Sequence, residues 1–151
     1  KAEQLEGILS TLPWIAQVDA FQHWIYENPT HTSDDRTAKW LELSARFGSG
    51  EVDYTGYEMA IAHAWHKQLH IFEVPFYYIE YGFAQLGAIG VWRNYIQSGK
   101  EALENYKAFL KLGNTESIPK IYETAGVKFE FSESYIHELM SFVKAELQKF
   151  Q

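Results

Sequence analysis

Cysteine is absent from the 151-residue sequence, and proline occurs only 4 times. Without a thiol, the chain has no disulfide, no thiolate zinc site and no cysteine nucleophile. Basic residues are also few: 13 Lys and Arg stand against 20 Asp and Glu, which leaves a formal net charge of −7. We therefore expect neither nucleic acid nor an anionic membrane surface as a partner. The uncharged run Gly82–Trp92 is far too short to span a bilayer.

Aromatic residues are abundant by contrast, with 5 Trp, 10 Tyr and 10 Phe. They suggest a large interior or a surface shaped for ligand contact, because Tyr and Trp combine apolar bulk with a polar group. The length fits one domain. The sequence begins with Lys1 rather than Met, so we expect a piece of a longer protein. With no recognisable targeting segment and no cysteine, we expect a cytoplasmic location.

Apolar residues recur at spacings of three and four, which predicts an all-α chain, a helical bundle of about seven helices. Pro13 and Pro29 are expected at helix boundaries, and Ser33 and Ser132 as N-caps. The predicted helices are 5–12, 15–26, 33–47, 57–70, 76–96 with Pro75 in its first turn, 100–112, 117–126 and 133–150.

Three glycines, Gly82, Gly87 and Gly90, lie inside the predicted helix 76–96. Each costs about 1 kcal/mol relative to Ala, so we expect a neighbouring backbone to approach closely there. The run from Gly82 to Gly87 resembles a loose dinucleotide-binding motif, but no strand precedes it. Close packing is therefore the better interpretation.

Histidines offer two metal-site hypotheses. His137 and Glu138 begin like the zinc motif H-E-x-x-H, but Ser occupies the place of the second histidine, which predicts a surface role for His137. His63, His66 and His70 would lie near one face of the predicted helix 57–70, where three imidazoles suit zinc. The alternative is that these are ordinary helix histidines. If they do bind zinc, the chain is a small metal-binding protein.

Tyrosines cluster directly after His70. Tyr77 and Tyr81 are four residues apart, and Tyr78 and Tyr81 three apart, so these side chains share a helix face. Phenols donate hydrogen bonds without ionising at neutral pH, which suits them to stabilise developing charge on a carbonyl oxygen. Aromatic residues at this spacing are also typical of a core, and spacing alone favours that interpretation.

Several segments together resemble the C-terminal part of oligoendopeptidase F, in the thimet oligopeptidase family of zinc metallopeptidases. The matching segments are Phe21-Gln22-His23-Trp24-Ile25-Tyr26, His70-Ile71-Phe72, Pro75-Phe76-Tyr77-Tyr78-Ile79-Glu80-Tyr81-Gly82, Ala84-Gln85-Leu86-Gly87-Ala88, the run from Tyr106 to Gly113, and Ile121-Tyr122-Glu123-Thr124-Ala125-Gly126 with Phe129 and Phe131. The run from His70 to Ala88 is the most specific.

The resemblance implies that residues 1–151 are the C-terminal helical part of a peptidase catalytic domain of the zincin type, without its zinc-binding motif. In that family an H-E-x-x-H helix and a downstream Glu hold the zinc, and this sequence has no such motif. The implied cofactor is zinc in the parent enzyme, with none bound by this part. The implied partners are short peptide substrates and the upstream N-terminal part of the same chain.

The resemblance also implies roles for four residues. His70 and Tyr81 correspond to catalytic residues, and Tyr77 and Tyr78 to substrate-binding residues. This part would supply a wall of the substrate cleft and hydrogen bonds to the transition state, and we expect it to be inactive alone. The alternative is a non-catalytic all-α binding or dimerisation module.

Overall fold

The computed structural model describes residues 2–150, which form eight α-helices, two 3₁₀ helices and no strand. The 3₁₀ helices are Ala64–Lys67 and Gln148–Phe150. The predicted all-α class is confirmed, and within the described residues no helix has the length and apolar character to cross a membrane. The α-helices are α1 (Ala2–Glu27), α2 (Ser33–Phe47), α3 (Glu58–Ala62), α4 (His70–Glu73), α5 (Ile79–Ser98), α6 (Lys100–Leu112), α7 (Ile118–Thr124) and α8 (Glu133–Leu147).

Side-chain caps define where α2 and α8 begin. The predicted N-cap of α2, Ser33, is wrong by one residue. Thr32 is the cap: its Oγ1 accepts the Asp35 N–H at 3.2 Å, and the Asp35 carboxylate accepts the Thr32 N–H at 2.8 Å. This reciprocal capping box satisfies two backbone donors. Ser132 caps α8 as predicted and accepts the Tyr135 N–H at 3.4 Å.

Pro13 is predicted at a helix boundary, but α1 continues through it. Proline within a helix removes one hydrogen bond and costs roughly 3 kcal/mol. Packing outweighs that cost, because Ile15, Val18 and Phe21 follow on the same helix and are at most 2% exposed. Pro29 matches its prediction, since α1 ends two residues before it.

The single helix predicted over 57–70 is wrong. This segment is divided into α3, the first 3₁₀ helix and α4, with a turn at His63. Trp65 and Ile71 are both in the core, at 8% and 9% exposed. The divided path places both side chains in one core, and tertiary packing of this kind outweighs local helix propensity.

The predicted helix start at Phe76 is also wrong, because α5 begins at Ile79. Phe76 has a φ of 59°. This left-handed backbone conformation costs a residue with a side chain roughly 1–2 kcal/mol and cannot continue a right-handed helix. Residues 74–78 form a turn between α4 and α5 instead.

Contacts divide the chain into two compact units. The continuous unit is Leu9–Gly82, and the discontinuous unit combines Lys1–Ile8 with Phe83–Gln151, as far as these residues are described. Helices α1 and α5 therefore each contribute residues to both units. All four predicted site residues fall in the continuous unit.

Aromatic rings make up much of the core of the continuous unit. Phe21 is fully buried, and its ring centroid lies 5.1 Å from that of Trp40 and 5.4 Å from that of Trp65. Trp40 also donates its indole N–H to the Ile61 carbonyl at 3.0 Å, so its polar atom is satisfied. The other buried members of this core are Val18, Leu43 and Ile71.

Close packing at two of the three helix glycines is confirmed, but the neighbour is a side chain rather than a backbone. A Cβ added at Gly87 would lie 2.7 Å from the Tyr122 hydroxyl oxygen, and one at Gly90 would lie 2.7 Å from a methyl group of Val127. Both contacts lie within the discontinuous unit. At Gly82 the nearest atom would be 3.4 Å away, which is an ordinary contact.

Candidate functional site

The four predicted site residues meet within the continuous unit. His70 begins α4, and Tyr81 lies in the first turn of α5. Tyr77 and Tyr78 belong to the segment that joins these helices. The His70 ring centroid lies 4.9 Å from that of Tyr78, 5.6 Å from that of Tyr81 and 6.1 Å from that of Tyr77. The structure therefore forms one cluster from residues that the sequence singles out.

A chain of three hydrogen-bonding contacts reaches Tyr81. Trp14 Nε1 lies 3.4 Å from Gln68 Oε1, and Gln68 Nε2 lies 2.6 Å from His70 Nδ1. On the other side of the imidazole, His70 Nε2 lies 3.2 Å from the Tyr81 hydroxyl oxygen. Both ring nitrogens of His70 are therefore engaged.

The chemistry of the first donor sets the direction of the whole chain. An indole N–H only donates, so the Gln68 oxygen faces Trp14 and its amide nitrogen faces His70. His70 Nδ1 therefore accepts, and the proton of the neutral ring is on Nε2. Nε2–H donates to the Tyr81 oxygen. The hydroxyl hydrogen of Tyr81 is thus left for an acceptor outside this chain of bonds.

Exposure distinguishes the three tyrosines. Tyr77 and Tyr81 are each 44% exposed. Tyr78 is half-buried and packs against the core of the continuous unit. Of the two residues with a predicted substrate-binding role, Tyr77 is thus the one with more surface open to solvent.

The turn before α5 is tied to α1 by a buried side chain. Gln22 is 0% exposed, and its Oε1 accepts the Phe76 N–H at 3.1 Å. Val74 accepts the N–H of Tyr77 at 3.2 Å, and Tyr77 accepts that of Glu80 at 3.0 Å. The conformation of the turn is therefore linked directly to the first turn of α5.

Sequence reasoning missed Trp14, Gln22 and Gln68. Gln22 did leave a recognisable pattern, because it follows Val18 and Phe21 on the apolar stripe of α1. A polar residue in such a stripe needs a hydrogen-bond partner. Nothing in the local sequence identifies that partner, which lies 54 residues away.

His23 contacts both an acidic residue of α1 and this turn. His23 Nε2 is 3.6 Å from the Asp19 carboxylate, and the His23 ring centroid is 4.8 Å from that of Phe76. Burial raises the pKa of Asp19 above its usual value, while His23 lowers it in part. Phe76 also packs against Tyr26, at 5.0 Å between ring centroids.

The hypothetical three-histidine site is not formed in the described residues. The rings of His63 and His66 lie 5.2 Å apart, but His70 is bonded to Gln68 and Tyr81 instead. The hypothesis required one continuous helix, which the structure divides. Across residues 2–150, no three His, Cys, Asp or Glu side chains are grouped so as to hold a metal ion. His137 is exposed, as predicted.

Comparison with protein families gives one match over most of the chain. The model of peptidase family M3 matches residues 1–141. A comparison with curated proteins finds no match.

Solved peptidase structures are similar over nearly the whole chain. PZ peptidase A with an inhibitor is 27% identical at a TM-score of 0.87, and the match covers 98% of this chain and 26% of that one. A structure of oligoendopeptidase F is 26% identical at a TM-score of 0.83, covering 97% and 26%. An oligoendopeptidase F from Bacillus anthracis strain Ames is 25% identical at a TM-score of 0.74, covering 98% and 23%. The chain thus spans about a quarter of the length of these structures.

Proposed function

The chain belongs to peptidase family M3, and from this premise we propose that it is the C-terminal helical part of a zinc-dependent oligoendopeptidase that hydrolyses short peptides. In this proposal the cluster of His70, Tyr77, Tyr78 and Tyr81 is a wall of the substrate cleft. The similarity to oligoendopeptidase F structures supports the choice of substrate class.

The residues of this chain do not fit a zinc site of their own. The sequence has no cysteine and no H-E-x-x-H motif, and residues 2–150 contain no group of three ligating side chains. We therefore propose that the zinc and the general base belong to the upstream N-terminal part of the complete enzyme.

Tyr81 is the residue that we propose to act on the substrate. Its hydroxyl oxygen accepts from His70, so its hydrogen is free to donate to the carbonyl oxygen of a bound peptide. Negative charge grows on that oxygen during attack on the peptide bond, so the bond from Tyr81 strengthens in the transition state. The 3.2 Å contact between His70 Nε2 and the Tyr81 hydroxyl oxygen is the observation that carries this proposal.

His70 acts on Tyr81 in this mechanism. Because its Nδ1 accepts from Gln68, its Nε2–H is directed at the Tyr81 oxygen. This holds the phenol in one orientation before substrate binds, and such preorganisation lowers the cost of reaching the transition state. Tyr77, stacked on His70 at 17° between ring planes and 44% exposed, offers an apolar face to the peptide.

The test removes one hydroxyl group in the complete enzyme. Tyr81→Phe keeps the ring and its packing, so the melting temperature should change little. If the hydroxyl donates only in the transition state, kcat should fall about 10²–10³-fold while KM stays nearly constant. His70→Ala should also lower kcat/KM. The assay is steady-state cleavage of a quenched fluorescent peptide.

Tyr95→Phe is the matched control. Tyr95 lies on the same helix, α5, and is 52% exposed, but it belongs to the discontinuous unit. Its loss of a hydroxyl should leave kcat unchanged. A kcat for Tyr81→Phe equal to that of this control would refute the proposed role.

The 151-residue chain alone should neither cleave the peptide nor bind one zinc per chain. Elemental analysis after dialysis against micromolar zinc measures the second expectation. Peptide turnover by the chain alone that a chelator abolishes would contradict the division of roles proposed here.

One observation favours the alternative of a non-catalytic binding module. The discontinuous unit has a largely apolar cavity of about 650 Å³, to which Trp92, Tyr106 and Phe109 contribute. If the complete protein cleaves no peptide although it binds zinc, this alternative becomes the better interpretation.

A further inference from the structure

Gln22 is a polar residue at a position where the fold favours an apolar one. It is 0% exposed and lies beside the core residues Val18 and Phe21 on α1. Its Nε2 is buried and has no hydrogen-bond partner among the described residues. A buried amide with one half unsatisfied weakens a fold. Core stability therefore does not account for this side chain.

The other half of the Gln22 amide has a definite partner. Its Oε1 accepts the Phe76 N–H at 3.1 Å, across 54 residues of sequence. Phe76 has a φ of 59°, a conformation that persists in a residue with a side chain only when surrounding contacts hold it. The bond lies next to Tyr77, at the start of the segment that leads to Tyr81.

We propose that Gln22 is a positioning residue, which holds the turn at Phe76 so that Tyr77 and Tyr81 face the substrate. This inference rests on the proposed function and adds a residue from α1 to the site. Gln22 itself touches neither the substrate nor the reacting atoms. Its effect passes through the Phe76 backbone to the first turn of α5.

Gln22→Met is the main test, made in the complete enzyme. Met has a similar length but only a weakly accepting sulfur in place of the amide oxygen that binds the Phe76 N–H, and it removes the unpartnered amide. A displacement of about 1 Å at a reacting group can cost on the order of 10²-fold in rate. We expect kcat to fall 10–100-fold.

Gln17→Met is the matched control. Gln17 is also a buried glutamine on α1, 5% exposed, but its Nε2 donates to Ser44 Oγ at 2.7 Å, away from the turn. Its replacement should lower the melting temperature and leave kcat unchanged. If Gln22 serves core packing alone, Gln22→Met should leave kcat unchanged, as Gln17→Met does. That result would overturn the proposal.

Rescue gives a second readout. Phe76→Gly relieves the backbone conformation that Gln22 holds, because glycine adopts positive φ without a steric penalty. Added to Gln22→Met, it should recover most of the lost kcat. No recovery in the double variant would count against the proposal.

Hydrogen exchange separates failure of this inference from failure of the proposed function. In Gln22→Met the Phe76 amide should exchange faster than in the wild type, whatever the reaction. If Tyr81→Phe lowers kcat but Gln22→Met changes neither kcat nor this exchange rate, the positioning role is wrong. If Tyr81→Phe has no effect on kcat, the proposed function fails. In that case, an unchanged exchange rate of the Phe76 amide in Gln22→Met also refutes the link between Gln22 and the turn.

Discussion

Gly87→Ala is the substitution for which the structure gives the sharpest prediction of stability. Gly87 lies within α5, where Ala is intrinsically better than Gly by about 1 kcal/mol. In this helix the added methyl group would lie 2.7 Å from the Tyr122 hydroxyl oxygen and 2.9 Å from two ring carbons. Such distances are shorter than a carbon atom tolerates, so Tyr122 must move.

Moving Tyr122 has a cost that can be worked out from its contacts. Its hydroxyl donates to the Phe83 carbonyl at 2.9 Å, and a bond of this kind contributes about 0.5–1.5 kcal/mol. Forcing a packed side chain away from its preferred position typically costs about 1–3 kcal/mol. After subtracting the gain in helix propensity, Gly87→Ala should lower the free energy of unfolding by about 1–3 kcal/mol.

Urea unfolding, followed by far-UV circular dichroism, measures this change. Gly7→Ala is the control, because Gly7 also lies in a helix, but a Cβ there would meet no heavy atom of residues 2–150 within 4 Å beyond the neighbouring backbone of its own helix. It should raise the free energy of unfolding by up to about 1 kcal/mol. The two variants therefore differ in sign although the chemical change is the same.

A third variant tests the cause. Tyr122→Phe removes the hydroxyl group that bonds to Phe83 and lies nearest to the added methyl group. In the Gly87→Ala background it should cost less than in the wild type, because that bond is already broken. If Gly87→Ala stabilises the protein as Gly7→Ala does, Tyr122 moves aside without cost and the reasoning is refuted.

Two further predictions concern α2 and the acidic residue near the site. Thr32→Ala removes the capping box of α2 and should lower the free energy of unfolding by about 1 kcal/mol, whereas Ser33→Ala should have little effect. Urea unfolding measures both variants, and equal effects would contradict the assignment of Thr32 as the cap. Burial raises the folded-state pKa of Asp19 above its unfolded value of 3.8, with His23 lowering it in part, so stability is lost as the pH rises through that raised pKa. Asp19→Asn should therefore increase the urea midpoint at pH 7 but not below pH 3.8, and an equal change at both pH values would show that ionisation is not the cause.

Helices whose ends are set by a glycine or a capping residue in the local sequence are predicted well. The bounds of α6, 100–112, match the prediction, because the glycines on either side end the helix locally. Ser132 was recognisable as a cap for the same reason. Where the path depends on distant contacts, the prediction failed. Trp65 packs against Phe21 on another helix, and that contact divides the segment predicted as one helix over 57–70.

The candidate site was predictable in part. The close spacing of Tyr77, Tyr78 and Tyr81 after His70 indicates a cluster, and the family resemblance supplied the proposed roles. The partners that orient the cluster were beyond local reasoning. Trp14 and Gln68 are 54 residues apart in sequence, and so are Gln22 and Phe76. No periodicity or motif connects residues so far apart, because only the folded core brings them together.

The division of the chain into a continuous and a discontinuous unit has a consequence for how the protein folds during synthesis. All residues of the continuous unit are synthesised before the second segment of the other unit. This unit is therefore able to fold first, which is the usual order for nascent domains. Residues 2–8 cannot pack within the discontinuous unit until residues 83–150 have been synthesised.

Folding of the continuous unit also makes it easier for the two segments of the discontinuous unit to meet. A Cβ on Gly82, the last residue of this unit, would lie 3.4 Å from the side chain of Ile15 on α1. Once Gly82 lies beside Ile15, the entropy of closing the loop between these two residues has already been lost. The nascent discontinuous unit then starts from two tethered segments of α1 and α5 rather than from two free chain ends. A mutation that delays the continuous unit will delay the assembly of the whole chain.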